Sequence, residues 1–138
     1  MSSSPQWLSI LQRVREHRRD TALHSLAQSL QAAARIRDAI NITDTAIARL
    51  ADAQQQSTPS GRLDADRLRQ IRQDRDALRF QLTELRQQQS AANAAIRQAQ
   101  SVAAEKDAEV DVLQRLSDRH DSADRQARRR QDEQSLIL

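Results

Sequence analysis

Apolar residues recur with a period of seven along the second half of the chain, in a frame that continues from Leu68 to Leu113. With Leu68 as the first inward position, eleven of fourteen inward positions are apolar. Such a sustained heptad pattern predicts one long helix with a left-handed coiled-coil seam. The inward series are Leu68, Arg75, Leu82, Gln89, Ile96, Ala103 and Val110, and Ile71, Leu78, Leu85, Ala92, Ala99, Lys106 and Leu113.

The first half of the chain has a weaker pattern of the same kind. One inward series is formed by residues seven apart, with Leu23 and Leu30 beside it, while Arg37 and Asp44 interrupt the companion series. A dense apolar start from Trp7 to Val14 precedes it, and Pro5 suits the first turn of a helix. We therefore predict helix one over about residues 5–54 and helix two over about 62–133. The series of the first half consists of Leu26, Ala33, Ile40 and Ile47.

Between these halves lies "STPSG", residues 57–61, which contains the only glycine and one of the two prolines. A short break between two long amphipathic helices predicts an antiparallel pair. We expect a single hairpin domain over 1–138, all-α, with a turn at about 55–62. Folding about residue 58 would place Asp44 near Arg75 across the seam. Helix two is the longer, so its last ~20 residues should project as an unpaired polar helix.

Composition supports helices and limits the chemistry. Twenty-two residues are alanine, only Trp7 and Phe80 are aromatic, and there is no cysteine, so disulfides and thiolate metal sites are excluded. No signal peptide and no membrane span of ~20 apolar residues is predicted. We expect a cytoplasmic protein.

Catalysis requires a concave site with converging groups, which a two-helix hairpin does not provide. His17 and His24 are seven apart but lack a third local ligand, and His120 is distant in sequence. We therefore expect no enzyme activity, no metal and no cofactor.

Arginines form two clusters at the open end of the predicted hairpin, one near the start of helix one and one near the end of helix two. Acidic neighbours dilute the positive charge, which disfavours nucleic acid and leaves docking to an acidic protein surface as the functional interpretation. Phe80 and Ile42 fall off the seam and are candidate exposed anchors. The clusters comprise Arg13, Arg15, Arg18 and Arg19, and Arg115, Arg119, Arg125, Arg128, Arg129 and Arg130.

Two segments resemble the FliJ/YscO family, the soluble stalk proteins of flagellar and virulence type III export machines, and the flagellar (FliJ) branch is favoured. "LSILQRVREHRRDTALHSLAQSL" is similar to the family's opening, a Leu-rich segment that runs into a charged one. "AEKDAEVDVLQRLSDRHDSADRQARRRQDEQ" at 104–134 is similar to its polar, Arg-rich C-terminal region. The resemblance covers the whole chain, including the single central break.

The resemblance implies a non-enzymatic stalk that inserts its open end into a hexameric export ATPase (FliI type), promotes its assembly, and links it to a membrane export gate (FlhA type) and to export chaperones. It places the protein at the cytoplasmic side of the inner membrane. For the gate it implies aromatic residues nearer the turn. In that region helix one has none and helix two has only Phe80, so Ile42 and Phe80 are the only candidates. The candidate ATPase-binding residues are Leu11, Arg13, Arg15, Arg18, Arg19, Leu116, Arg119 and Arg125.

A different interpretation stays open. The strict heptad of helix two could equally join two chains, which would make the protein a generic structural coiled-coil scaffold. The stalk interpretation predicts a monomer in solution, whereas the scaffold predicts a mass of two chains or more.

Overall fold

Two long helices account for the part of the chain that the structure describes. The computed structural model describes residues 5–57 and 65–137, with side chains for 5–56 and 65–136. Helix α1 comprises Gln6–Ser57 and helix α2 comprises Ala65–Ile137, with 52 and 73 residues. The two helices pack against each other as a helical hairpin, which confirms the predicted fold class. Most of the predicted turn, 58–62, lies outside the described residues.

The start of α1 follows from Pro5. The Pro5 carbonyl accepts hydrogen bonds from the backbone N–H groups of Leu8, at 3.0 Å, and Ser9, at 3.3 Å. Proline has a backbone φ suited to a first helical turn and lacks the N–H that would otherwise be unpaired there. Both helices end later than the sequence predicted: α1 continues to Ser57 and α2 to Ile137.

The seam of α2 is the predicted one. All fourteen inward positions between Leu68 and Leu113 are buried or half-buried. Between residues 65 and 113 only Val102 and Glu109 are also withdrawn from solvent. The heptad frame therefore identified the buried face of α2, including its polar members Arg75, Gln89 and Lys106. After Leu113 the frame continues through the half-buried Ser117, His120 and Asp124, so Leu116, 46% exposed, does not extend the apolar stripe as expected.

In α1 one predicted series is correct and its companion is wrong. Leu26, Ala33, Ile40 and Ile47 are buried or half-buried as expected. The companion series lies one residue earlier than predicted, so Leu23, Leu30, Arg37 and Asp44 are exposed. Small and β-branched side chains occupy most of the true companion positions. Those positions are Ala22, Ser29, Ile36, Thr43 and Leu50.

The register of the helix pair also overturns the predicted Asp44–Arg75 approach, because Arg75 meets Gln54, ten residues further along α1 than Asp44. The Nη1 group of Arg75 instead donates a hydrogen bond of 3.0 Å to Oε1 of Gln54. Asp44 is exposed because the neighbouring Thr43, 4% exposed, takes the inward position. The Thr43 hydroxyl donates to the Ala39 carbonyl of its own helix at 2.8 Å, which satisfies a buried polar group without a partner from α2.

The contacts of the chain fall into two units, each containing part of both helices. Unit 1 comprises residues 1–27 and 98–138, and unit 2 comprises residues 28–97. In unit 1, Gln12 Nε2 donates to Gln114 Oε1 at 2.7 Å, and Arg15 approaches Glu109. In unit 2 the Arg75–Gln54 bond joins the helices. The helices are antiparallel in unit 1, because Gln12 contacts Gln114 whereas Arg15, further along α1, contacts Glu109, which lies further back along α2. The prediction of a single domain over 1–138 stays a prediction.

The end of α2 carries no buried side chain. Every residue from 125 to 136 is exposed, as predicted for an unpaired polar helix. No helix in the described part of the chain contains a stretch long and apolar enough to cross a membrane.

Truncating a seam residue should destabilise the hairpin far more than the same change outside the seam. Ile71 is 6% exposed and Ile42 is 71% exposed, and both lie in unit 2. We expect Ile71→Ala to lower the free energy of unfolding by about 2 kcal/mol and Ile42→Ala by less than about 0.5 kcal/mol. Urea unfolding followed by circular dichroism at 222 nm measures both. Equal losses would contradict the seam assignment.

Replacing the inward Arg75 by leucine should stabilise the hairpin. The Nε group of Arg75 is buried and makes no hydrogen bond, so its desolvation is not compensated. We expect Arg75→Leu to raise the free energy of unfolding by about 1 kcal/mol, because an apolar side chain then fills an inward position. The exposed Arg69→Leu is the matched control and should change little. A destabilised Arg75→Leu variant would show that the Gln54 bond outweighs the desolvation.

Candidate functional site

All eight candidate ATPase-binding residues lie in unit 1, but they do not form one surface. Arg15 and Arg19 occupy inward positions and are half-buried against α2. Leu11 is half-buried beside the seam. The remaining five candidates are exposed: Arg13, Arg18, Leu116, Arg119 and Arg125.

Arg15 belongs to a three-residue ion cluster that bridges the two helices. Its Nη1 lies 3.5 Å from Oε2 of Glu109, and the Nζ of Lys106 lies 3.7 Å from Oε1 of the same carboxylate. The three side chains retain only about a third or less of their accessible surface. One carboxylate thus neutralises two cations at inward positions. Arg15 is therefore a structural residue of the seam and is poorly placed to meet a partner.

Two further candidates interact locally. Arg19 directs Nε and Nη2 to Oδ1 of its neighbour Asp20, each at 3.3 Å. Arg125 donates from Nε to the Asp121 carbonyl at 3.4 Å, which holds its stem along α2. The Arg19 side chain is half-buried and held by Asp20, whereas the Arg125 side chain is exposed near the unpaired end of α2.

A shallow groove of about 350 Å³ runs along one side of unit 1 and shows which positions of the two helices share that side. In heptad letters the inward positions are a and d, with Leu26 as an a position of α1 and Leu68 as an a position of α2. The groove contains c and g positions of α1, a g position of α2 and one inward residue of each helix. The c and g positions of both helices therefore lie on the same side, and b and e positions lie on the opposite one. The groove is lined by Arg18, Thr21, Ala22, Ser25, Val102 and Lys106.

Large apolar residues are exposed on the c and g side of unit 1, and sequence reasoning did not assign them to a surface. We call this set the apolar side. Leu116 and the half-buried Leu11 were candidates, but the others were missed. The available signal was the spacing of Trp7, Ile10 and Val14, which share one helix face that is not the seam. The apolar side consists of Trp7, Leu11 and Val14 from α1 and Val112 and Leu116 from α2, with Ile10 at its edge.

The opposite side of unit 1 has a different character, and we call it the acidic side. Where the two helices are paired, up to Asp124, its b and e positions carry six carboxylates and one guanidinium, that of Arg13. Leu23, 48% exposed, is the large apolar residue there. The two sides of one helix pair thus offer distinct surfaces to a partner. The carboxylates belong to Glu16, Asp20, Asp107, Asp111, Asp118 and Asp121.

The histidines do not form a site. His120 Nδ1 lies 3.8 Å from Asp124 Oδ2, one turn further along α2, where the paired region ends. Among the described residues no three histidine or carboxylate side chains come together in a way that could hold a metal ion.

The two candidate gate-binding residues lie in unit 2 and are exposed, Ile42 by 71% and Phe80 by 67%. The groove beside Ile42 is lined by residues of α1 alone: Asn41, Ile42, Thr45 and Arg49. Phe80 does not line it, so the structure does not bring the two anchors to a common groove. Each remains a separate candidate.

Comparison with known proteins adds no relative. No protein-family model, no curated protein and no solved structure matches the chain.

Removing the charge of Glu109 should weaken unit 1, because Arg15 and Lys106 would then repel each other beside the seam. We expect Glu109→Gln to cost about 1 kcal/mol of unfolding free energy in low salt and less in 1 M salt, where the repulsion is screened. Glu105→Gln, an exposed carboxylate of the same helix, is the control. Denaturant unfolding at both salt concentrations measures the difference. A salt-independent loss would contradict the electrostatic explanation.

Proposed function

We propose that this chain is a non-enzymatic stalk component of the flagellar type III protein export apparatus. It binds the hexameric export ATPase through unit 1, promotes assembly and activity of the ring, and links the ring to the export gate and to export chaperones. It works in the cytoplasm, next to the inner membrane. The proposal derives from the resemblance of residues 8–30 and 104–134 to the FliJ/YscO family.

One observation carries the proposal further than the resemblance. The first turns of α1, the last turns of α2 and all the candidate arginines belong to the same unit. Every side chain of α2 from residue 125 to 136 is exposed, although this segment is still helical. A helix of this length without a packing partner gains little stability from propensity alone, so a partner surface is expected to cover it.

The mechanism is mechanical and regulatory. Exposed guanidinium groups make charge-assisted, bidentate hydrogen bonds with carboxylates, which suits acidic loops lining a ring. Arg18, Arg119 and Arg125 are exposed and fit this role, while Arg15 bridges the two helices and Arg19 is half-buried and bound to Asp20. Binding to several subunits at once would favour the assembled ring over free subunits by mass action.

The scaffold alternative makes a different demand on the seam. In the hairpin, α1 already covers the inward positions of α2, from Leu68 to Leu113. A second copy could use those positions only after α1 had released them. Light scattering distinguishes the two cases, because the stalk has the mass of one chain, 15.7 kDa, and the scaffold at least twice that.

The first test is hydrolysis of ATP by the export ATPase of the same organism, measured over a range of ATPase concentrations with and without the protein. We expect the protein to lower the ATPase concentration needed for full specific activity, because it promotes ring assembly. Unchanged activity together with no complex in sedimentation would overturn the proposal.

Charge reversal should separate binding from folding. We expect Arg18→Glu with Arg119→Glu to weaken ATPase binding at least tenfold with helicity unchanged, since both side chains are exposed. Arg69→Glu with Arg72→Glu, an exposed pair in unit 2, is the matched control and should bind normally. Arg15→Glu is unsuitable because it would place a carboxylate against Glu109. Normal binding by the Arg18 and Arg119 variant would exclude these two residues from the interface.

A further inference from the structure

The apolar side of unit 1 has the geometry of a docking surface for a helix. Trp7, Leu11 and Val14 follow one another at spacings of four and three, so they form a stripe along α1 about 10 Å long. Trp7 is 63% exposed, and nothing in the described chain covers it. An exposed apolar patch of this kind on a small protein is typical of an interaction site.

Residues of α2 widen the stripe into a two-helix surface. The Gln12–Gln114 and Arg15–Glu109 contacts fix the register of unit 1, so Val112 lies level with the segment between Leu11 and Val14. Leu116 is one turn further along α2, toward the level of Trp7. The groove between c and g positions continues this side beyond the Arg15–Glu109 pair. A third helix placed along this side would therefore contact the apolar residues at one end and the shallow groove at the other.

The charges at the edge of the apolar side specify the partner. Arg18 and Lys106 line the groove, and Arg119 lies on the same side one turn beyond Leu116. Where the helices are paired, the two carboxylates on this side are Glu105 and Glu109, and Glu109 is already bound by Arg15 and Lys106. The edge is therefore net basic, whereas the acidic side lies across the helix pair.

We propose that the apolar side of unit 1 binds an amphipathic helix of a partner protein, with apolar residues on one face and carboxylates along its flanks. The apolar face would cover Trp7, Leu11 and Val112, and its carboxylates would meet Arg18 and Arg119. This is the helix-in-groove mode of recognition, in which i, i+3, i+4 and i+7 side chains provide the anchors. The inference goes beyond the proposed function because it stands whether or not the partner is an export ATPase.

The same charges disfavour two other occupants. A second copy placed side to side would bring the cations Arg18, Lys106 and Arg119 of both chains together, at a cost in free energy. An anionic membrane would approach over a wider area and meet the exposed carboxylate of Glu105 and the edges of the acidic side. A narrow acidic helix avoids both conflicts.

Trp7 provides a direct measurement, because it is the only tryptophan and the chain has no tyrosine. The probes are two synthetic helical peptides with the same leucine face, one with glutamate flanks and one with lysine flanks. We expect the glutamate peptide to shift Trp7 emission to the blue and to bind at least tenfold more tightly than the lysine peptide. Equal binding of both peptides, or no shift with either, would overturn the proposal.

Variants locate the binding to one side. Val112→Glu should weaken binding of the glutamate peptide at least tenfold, and the milder Val112→Ser should weaken it severalfold with the helicity retained. Leu23→Glu places the same charge on the acidic side and is the matched control, with binding unchanged within twofold. A loss with Leu23→Glu equal to that with Val112→Glu would contradict the assignment to the apolar side.

Three further arms separate the alternatives. Trp7 emission that depends on the concentration of the chain alone, with a doubled mass in light scattering, would identify a second copy as the occupant and overturn the proposal. A shift with phosphatidylglycerol vesicles but not with the glutamate peptide would identify a membrane and also overturn it. If the export ATPase binds but Val112→Glu leaves binding of the glutamate peptide unchanged, this inference fails and the proposed function stands. Binding of the glutamate peptide that Val112→Glu weakens, together with no binding of the ATPase, gives the reverse.

Discussion

The structure depends on the mutual burial of two thin stripes. Neither helix carries enough bulky apolar residues to be stable alone in water, and isolated helices obtain most of their stability from packing. Each inward position of α2 from Leu68 to Leu113 is withdrawn from solvent, yet few side chains are fully buried. The seam is one layer deep, so every polar member of it needs a specific partner. Arg75 finds Gln54, and Arg15 and Lys106 share Glu109.

The sequence was sufficient for α2 and insufficient for half of α1, for one physical reason. In α2 the inward positions hold most of the large apolar residues, with Phe80 and Val112 among the exposed exceptions, so hydrophobicity and burial largely coincide. In α1 two leucines, Leu23 and Leu30, lie outside the seam, while Ala22 and Ser29 lie inside it. Small inward residues allow two helices to approach closely, an advantage that depends on the partner helix and is invisible in one helix's own pattern. The companion series was therefore placed one residue late.

That displacement explains only part of what was missed at the candidate site: it hid the inward position of Arg15, whereas Arg19 lies seven residues before Leu26, in the series that was placed correctly. The location of the arginines at the ends of the two helices was evident from the sequence, and all of them lie in unit 1. Their sides were not evident, because a shift of one residue rotates a helix face by 100°. Arg15 and Arg19 proved to be inward, and Trp7 and Val14 proved to be outward. Sorting seam residues from surface residues required the contacts between helices.

The asymmetry of unit 1 follows from the same geometry. A two-helix pair has only two edges, and here one collects carboxylates while the other collects apolar residues and cations. The charges of both edges would cancel if they were mixed, and the chain as a whole is near balance, with 22 basic and 19 acidic residues. Segregation gives each edge its own selectivity. The acidic edge repels an acidic partner at close range, so such a partner has one orientation in which apolar burial and charge attraction act together. A helix pair whose described surface offers shallow grooves can in this way still bind in a single, defined pose.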